Sequence, residues 1–197
     1  MTSRVTFISP ATNPSLRQAR FDDSRTPLDD AGRAQARAAA GTLRPADRVV
    51  SSPGVRCRET AAALGLADAE EVAELAGLGV GRWRGRTLDE VSAAEPDAVA
   101  QWLADPASAP PHDGESVQAL CLRIGRWLDS MGEVDGRTVA VVEPDVVRAV
   151  VVRVLGAPVA AFWRADVAPL TATEISGRSG RWNLRMGHPL GPHAIGS

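Results

Sequence analysis

Residues 49–61 read Val-Val-Ser-Ser-Pro-Gly-Val-Arg-Cys-Arg-Glu-Thr-Ala, and this stretch decides the fold class. The β-branched run that ends at Ser52 is typical of a short buried strand, and Pro53-Gly54 is a turn signal. The residues from Arg56 to Leu64 then predict a helix. A strand that passes through a tight turn directly into a helix is the repeating unit of α/β domains with a parallel sheet.

The same unit recurs on both sides of this stretch. Residues 5–8 predict a first buried strand, and an Ala/Arg-rich helix follows it with Asp29 or Asp30 as N-cap. Residues 138–142 form the clearest buried strand of the sequence, and residues 146–155 predict the helix after it. We therefore predict an α/β fold, a three-layer sandwich with a mostly parallel central sheet and helices on both faces.

Residues 67–115 interrupt this pattern. They contain a glycine-rich passage around Trp83, a predicted helix from about Leu88 to Leu103, and a proline-rich loop. We expect this insertion to form a small helical cap over the sheet.

The remaining segments complete one domain. Apolar residues at helical spacing predict a helix over residues 115–131, and residues 171–186 predict a final edge hairpin. We predict a single domain over residues 1–190, with residues 191–197 as a flexible tail.

The composition excludes several classes of function. A formal net charge of -2 and a pI near 5.9 give no basic footprint for a nucleic-acid partner. Cys57 and Cys121 lie far apart without a ligand pattern, so we expect no metal and a reducing environment. All 22 basic residues are arginine and tyrosine is absent, which excludes lysine Schiff bases and tyrosine acid/base chemistry.

The same survey predicts where the protein works. The chain has neither a signal-peptide pattern nor an apolar run of about 18 residues, so we expect a cytoplasmic protein that does not bind a membrane. We further expect a small-molecule ligand, no cofactor, and possible assembly into a homodimer.

Residues 49–61 resemble the second signature of the histidine phosphatase family, which has the phosphoglycerate-mutase-like fold. In that signature the arginine after Ser-Ser-Pro contacts phosphate, and this resemblance assigns the role to Arg56. The resemblance covers about residues 4–186, because further segments fit the family in the same order: residues 26–36, 81–88, 113–123, 146–149 and 162–170.

The sequence departs from the family at its catalytic positions. The family transfers phosphate through a histidine in an Arg-His-Gly motif after the first strand, where this chain has Ser9-Pro10-Ala11. The second family histidine corresponds to Glu143, and the family's acid corresponds to Gly77 or Gly79. These departures predict a family member that lacks the catalytic histidines.

Two carboxylates are the catalytic candidates. Glu143 comes first, because the family fold aims the side chain at this strand end into the pocket. Asp145 is either a second carboxylate that divides acid and base roles with Glu143, or the N-cap of the following helix. Arg56 is expected to pair with Glu143 or with an anionic ligand, and a purely structural ion pair is the alternative.

Five further residues are candidates for binding the ligand. Arg17 and Arg20 follow the first strand and carry the charge needed to clamp a carboxylate. Ser9 ends that strand, and His112 lies in the loop that covers the pocket in the family fold. Trp83 either packs in the core or forms a pocket wall that favours an apolar or aromatic ligand.

These observations predict a repurposed enzyme that is not a phosphohistidine-dependent phosphatase. Its expected chemistry is carboxylate acid/base catalysis on a small organic biosynthetic substrate, carboxylate-bearing molecules included, as an isomerase, dehydratase, cyclase or hydrolase. A catalytically inactive pseudophosphatase that binds a ligand or a partner is the alternative. Residual phosphatase activity through Ser9 or His112 is a minor one.

Overall fold

The computed structural model describes residues 2–21, 25–178 and 181–191. These residues form a six-stranded sheet of order β3-β2-β4-β1-β5-β6. The first three pairs of neighbours are parallel and the last two are antiparallel, so β5 alone runs against the other five strands. The strands are β1 (Ser3–Ile8), β2 (Arg48–Ser51), β3 (Glu70–Glu71), β4 (Gly136–Val141), β5 (Thr171–Arg178) and β6 (Arg181–Pro189).

Seven α-helices lie in the described ranges, with three short 3-10 helices at Ala73–Leu75, Gly81–Trp83 and Val159–Arg164. The α-helices are α1 (Pro14–Arg17), α2 (Asp30–Ala38), α3 (Val55–Ala63), α4 (Leu88–Ala94), α5 (Pro96–Ala104), α6 (Val117–Met131) and α7 (Pro144–Leu155). None of these helices is long and apolar enough to cross a bilayer.

Alternation along the central strands divides the core between the two faces of the sheet. Val5 and Phe7 of β1 belong to the large core that contains the apolar faces of α6 and α7. Ile8 of β1 and Val139 of β4 belong to a second core with α2 and α3. Helices therefore cover both faces of a mostly parallel sheet, which confirms the predicted fold class.

The insertion is helical, but its predicted single helix is two. Glu95 has a non-helical backbone (φ -140°, ψ 56°), and Pro96 opens α5 as its first residue. Proline lacks the N–H that would continue α4 and excludes helical geometry from the residue before it. The long helix predicted over residues 88–103 was therefore wrong at this position.

The two ends of the insertion cross each other at glycines. The Arg82 N–H donates to the His112 carbonyl (2.9 Å), and the Glu115 N–H donates to the Gly79 carbonyl (2.6 Å). A Cβ at Gly81 would lie 1.9 Å from the His112 carbonyl oxygen, and one at Gly114 would lie 1.9 Å from that of Gly79. Only residues without a side chain allow so close a crossing.

His112 and Trp83 lie in the core of the cap, and neither side chain has exposed surface. The imidazole lies 4.9 Å from the Trp83 ring and 5.8 Å from the Trp102 ring. Its Nδ1 accepts a hydrogen bond from the Gly114 N–H (3.1 Å). Contact of His112 or Trp83 with a ligand has no support, because aromatic packing separates both side chains from solvent.

We predict that His112 makes folding stability depend on pH. Burial lowers the pKa of His112 below its usual 6.5, with a smaller contribution from the nearby Arg82 charge. The unfolded chain therefore binds a proton that the folded protein does not, and stability should fall as the pH drops through about 6.5. Melting temperatures measured between pH 8 and pH 5 should show this loss.

His112→Asn keeps a hydrogen-bond acceptor near the Gly114 N–H but cannot titrate, so its melting temperature should change less over this pH range. His188→Asn is the matched control, since His188 is exposed on β6. An equal pH response in the wild type and His112→Asn would contradict the assignment.

Candidate functional site

Three segments meet at the carboxyl ends of the central strands. They follow β1, β2 and β4, which are neighbours in the parallel part of the sheet. The Ser52 N–H donates to the Val141 carbonyl, and the Val142 N–H donates to the Ile8 carbonyl, each at 2.9 Å. In open α/β folds this edge of the sheet is where ligands bind.

Arg56 and Glu143 form a buried ion pair at this edge. Arg56 lies in the first turn of α3, Glu143 directly precedes α7, and the Nη1–Oε2 distance is 3.2 Å. The two side chains are only 10% and 7% exposed. Arg56 also donates through Nε to the Ala11 carbonyl (2.8 Å) and through Nη2 to the Pro10 carbonyl (3.3 Å). All three nitrogens of this guanidinium thus have protein acceptors.

The surroundings of Glu143 are shaped to its carboxylate. Its second oxygen, Oε1, accepts a hydrogen bond from the Cys57 thiol at 3.2 Å. A Cβ at Gly77 would lie 3.2 Å from the Glu143 Cγ, and one at Gly54 would lie 3.5 Å from Oε1. A side chain at position 77 would therefore crowd Glu143, and glycine leaves the glutamate its space.

A cleft of about 360 Å³ opens beside Glu143, and we call it the Glu143 cleft. Glu115 and Arg123 lie in its wall and pair with each other through two hydrogen bonds, of 3.0 and 2.7 Å. Arg84 is exposed, and within the described ranges it has no ion-pair partner. The lining residues are Ser52, Pro53, Gly54, Ala73, Ala76, Gly77, Leu78, Gly79, Arg84, Glu115, Arg123 and Glu143.

Metal-ligating side chains do not gather here. Across the described residues, the structure contains no group of three or more His, Cys, Asp or Glu side chains able to hold a metal ion.

Asp145 is not the N-cap of α7. Glu143 has the extended backbone of a cap residue (φ -61°, ψ 152°), and Pro144 is the first helical residue. Asp145 consequently falls inside the first turn, where its Oδ1 accepts from Arg148 Nη1 at 3.0 Å. A negative side chain there is favourable for the helix dipole. The Glu143 cleft is not lined by Asp145.

The structure does not bring the other predicted residues into this cleft. Ser9 has no exposed surface, and its hydroxyl donates to the Ala168 carbonyl. Arg17 pairs with Asp29 at 2.9 Å on the surface. Arg20 donates to the Gly85 carbonyl and to Gln18 Oε1. These three side chains hold loops together, and their expected ligand contacts have no support.

Sequence reasoning missed three residues of this site. Cys57 follows Arg56 directly, and no sequence pattern predicts its contact with Glu143. Arg84 lies in the Gly81–Arg86 segment, where three arginines look equivalent, yet Arg82 and Arg86 both bind Glu95. Arg123 follows Glu115 by eight residues, and residues so far apart do not meet along one helix. Glu115 reaches Arg123 because it lies before the start of α6.

Comparison with solved structures finds phosphatases. The structure of a mycobacterial glucosyl-3-phosphoglycerate phosphatase in complex with VO3 superposes with a TM-score of 0.83 at 26% identity, over 95% of this chain and 99% of that one. A second structure, mycobacterial hydrolase 1, gives 0.79 at 26% identity, over 94% and 97% of the two chains. The alpha-ribazole phosphatase from Shigella flexneri gives 0.82 at 24% identity, over 98% of each chain, a likeness of fold. No curated protein matches this chain.

These comparisons correct the function that the sequence predicted. A repurposed non-phosphatase enzyme acting through carboxylate chemistry as an isomerase, dehydratase, cyclase or hydrolase is contradicted, because the similar solved structures include phosphatases. They likewise contradict the expectation that the chain lies outside the phosphohistidine-dependent phosphatases. The pseudophosphatase alternative has no support among these relatives.

A family model matches most of the chain. The model of the histidine phosphatase superfamily (branch 1) matches residues 12–187, which include the helices of both layers, the cap and the Arg56–Glu143 pair. This chain therefore belongs to the histidine phosphatase superfamily, branch 1.

Proposed function

We propose that this protein is a phosphatase that hydrolyses the phosphate monoester of a small organic molecule in the Glu143 cleft. The observation that carries the proposal is Arg84, an exposed guanidinium in the cleft without an ion-pair partner among the described residues. Arginine is well suited to phosphate, because its planar fork donates two parallel hydrogen bonds. The similar phosphatases named above act on phosphate esters of small molecules, in support of this substrate class.

The charges of the cleft favour an anionic substrate. At 4 Å and an effective dielectric constant of 20, an unpaired carboxylate would repel each phosphate charge by about 4 kcal/mol. Arg56 offsets this repulsion at Glu143, and Arg123 offsets it at Glu115. With both carboxylates paired, Arg84 leaves the cleft with one net positive charge.

We propose further that this chain lacks the two catalytic histidines at the positions where the family has them. The histidines of this chain are His112, His188 and His193, whereas Ser9-Pro10 follows β1 and Glu143 follows β4. In the proposed reaction a water oxygen bonds to phosphorus, the phosphorus–oxygen ester bond breaks, and the leaving alcohol takes one proton of the attacking water, so the products are the alcohol and inorganic phosphate.

We predict that Arg84→Gln impairs substrate binding. The variant removes the cation proposed to meet the phosphate, so the KM for nitrophenyl phosphate and for small sugar phosphates should rise about tenfold, in line with one charge-assisted hydrogen bond of about 1.5 kcal/mol. Phosphate release measured against substrate concentration gives KM and kcat separately.

The matched control for this experiment is Arg126→Gln. Arg126 is exposed on α6 and does not line the Glu143 cleft, so the substitution makes the same change in net charge and should leave KM unchanged. A KM that stays unchanged in Arg84→Gln would contradict phosphate binding by Arg84, and absence of phosphate release by the wild type would refute the proposed function.

We predict that Glu143→Gln lowers the free energy of unfolding, because it leaves the Arg56 guanidinium buried without its counter-charge. Arg56→Gln should lower the free energy of unfolding by about 3 kcal/mol, because it leaves Glu143 buried without its counter-charge. Urea denaturation of both single variants and of the double variant measures the coupling between the two residues. Additive losses would show that the ion pair contributes nothing.

A further inference from the structure

Four arginines line a groove on the sheet face that carries α2 and α3. These two helices leave the amino-terminal half of β1 uncovered on this face, together with its neighbours in β4, β5 and β6. Two adjoining cavities of about 360 and 260 Å³ lie there. We call them the arginine groove, and its charged residues are Arg4, Arg44, Arg137, Glu174 and Arg185.

The strand register places these side chains on one face. Arg4 of β1 lies opposite Arg137 of β4, and two residues further along β1, Thr6 lies opposite Glu174 of β5. Glu174 in turn lies opposite Arg185 of β6. Neighbouring strands are about 4.8 Å apart, and side chains two residues apart on a strand share a face. The side chains of these strand residues therefore lie on one surface of the sheet. Arg44 reaches it from the segment between α2 and β2.

The four guanidinium groups have no carboxylate partner in the part of the chain that the structure describes. Asp47 binds the Arg137 backbone N–H rather than its side chain. Other arginines of the protein surface do form ion pairs: Arg48 pairs with Glu70, and Arg153 pairs with Asp129. The groove has four positive charges and the single negative charge of Glu174. Two like charges opposite each other on adjacent strands are unfavourable, and folding does not require that arrangement.

We propose that the arginine groove binds a small polyanion with two or more phosphate groups and no aromatic ring. Guanidinium groups form bidentate hydrogen bonds to phosphate oxygens, and a ligand with several phosphates neutralises the repulsion between Arg4 and Arg137. The cavities have the volume of small-ligand sites. Glu174 is the acceptor available for a hydroxyl group of such a ligand.

A larger or aromatic polyanion fits these residues less well. The residues that line the groove include no Phe or Trp, and His188 at its edge is the one ring among them on which a base could stack. The protein as a whole has a formal net charge of -2, whereas a nucleic-acid surface needs an extended basic face.

The arginine groove is separate from the Glu143 cleft. The two share no lining residue, and they lie toward opposite ends of β1 and β4. Binding in the groove is therefore independent of the proposed phosphatase function and can be measured without turnover.

The experiment uses inorganic pyrophosphate as the probe in an Arg84→Gln background, so that the Glu143 cleft contributes little. Calorimetry and melting temperature are measured with and without pyrophosphate for this protein and after adding Arg4→Gln and Arg137→Gln. We expect pyrophosphate to raise the melting temperature of the parent, and the added pair of substitutions to weaken binding by at least tenfold. Without pyrophosphate, the added pair should leave the melting temperature unchanged or higher, because it removes a repulsion.

Two matched variants complete the test. Arg126→Gln removes one charge outside the groove and should leave pyrophosphate affinity within about twofold, since surface charges beyond a Debye length of about 10 Å are largely screened. Glu174→Gln should raise the affinity. Absence of pyrophosphate binding by the parent, or equal affinity after the Arg4 and Arg137 substitutions, would overturn the proposal.

Discussion

A carboxylate taken out of water loses hydration worth on the order of several kcal/mol, and Glu143 keeps its place at the edge of the sheet because Arg56 compensates for that loss. The same guanidinium also holds the segment after β1 in place, because it donates hydrogen bonds to the carbonyls of Pro10 and Ala11. One side chain thus joins the segments that follow β1, β2 and β4. The edge of the sheet beside the Glu143 cleft is held together by this junction.

The residues around Glu143 form a consistent set. Cys57 supplies a thiol donor to one carboxylate oxygen, Arg56 donates one charge-assisted hydrogen bond to the other, and Gly77 leaves room for the methylene groups. The carboxylate therefore has a partner for each oxygen and space for its side chain, although it lies at the buried edge of the sheet.

Much of the fold follows from local sequence. Residues 138–142 are apolar and β-branched, and they form the buried strand that alternation and turn signals predict. Glu95-Pro96 was a visible helix break inside a helical pattern, and the prediction passed over it although proline rules out the continuous helix. The flexible tail predicted for residues 191–197 lies, apart from Gly191, outside the described residues.

The site was harder to predict because its contacts are distant in sequence. The Arg56–Glu143 pair joins residues 87 positions apart and could be anticipated only through a family resemblance. Asp145 looked like an N-cap, but Pro144 had already fixed where the helix begins. His112 looked like a loop residue over a pocket, and only the three-dimensional packing of Trp83 and Trp102 shows it to be core. Side chains on adjacent strands, such as Arg4 and Arg137, likewise become neighbours only once the strand order is known.

The glycine crossing at the base of the cap brings together the two ends of the segment that forms the cap. Gly79 to Gly81 and His112 to Gly114 are held together by backbone hydrogen bonds, so the path enters and leaves the cap at one point. The segment between them also packs on the rest of the domain, since Trp83 and Trp102 belong to the large core and the Trp102 ring lies 4.4 Å from that of Trp163. Arg84 follows the crossing by three residues and lines the Glu143 cleft, so the crossing fixes where this arginine meets the cleft.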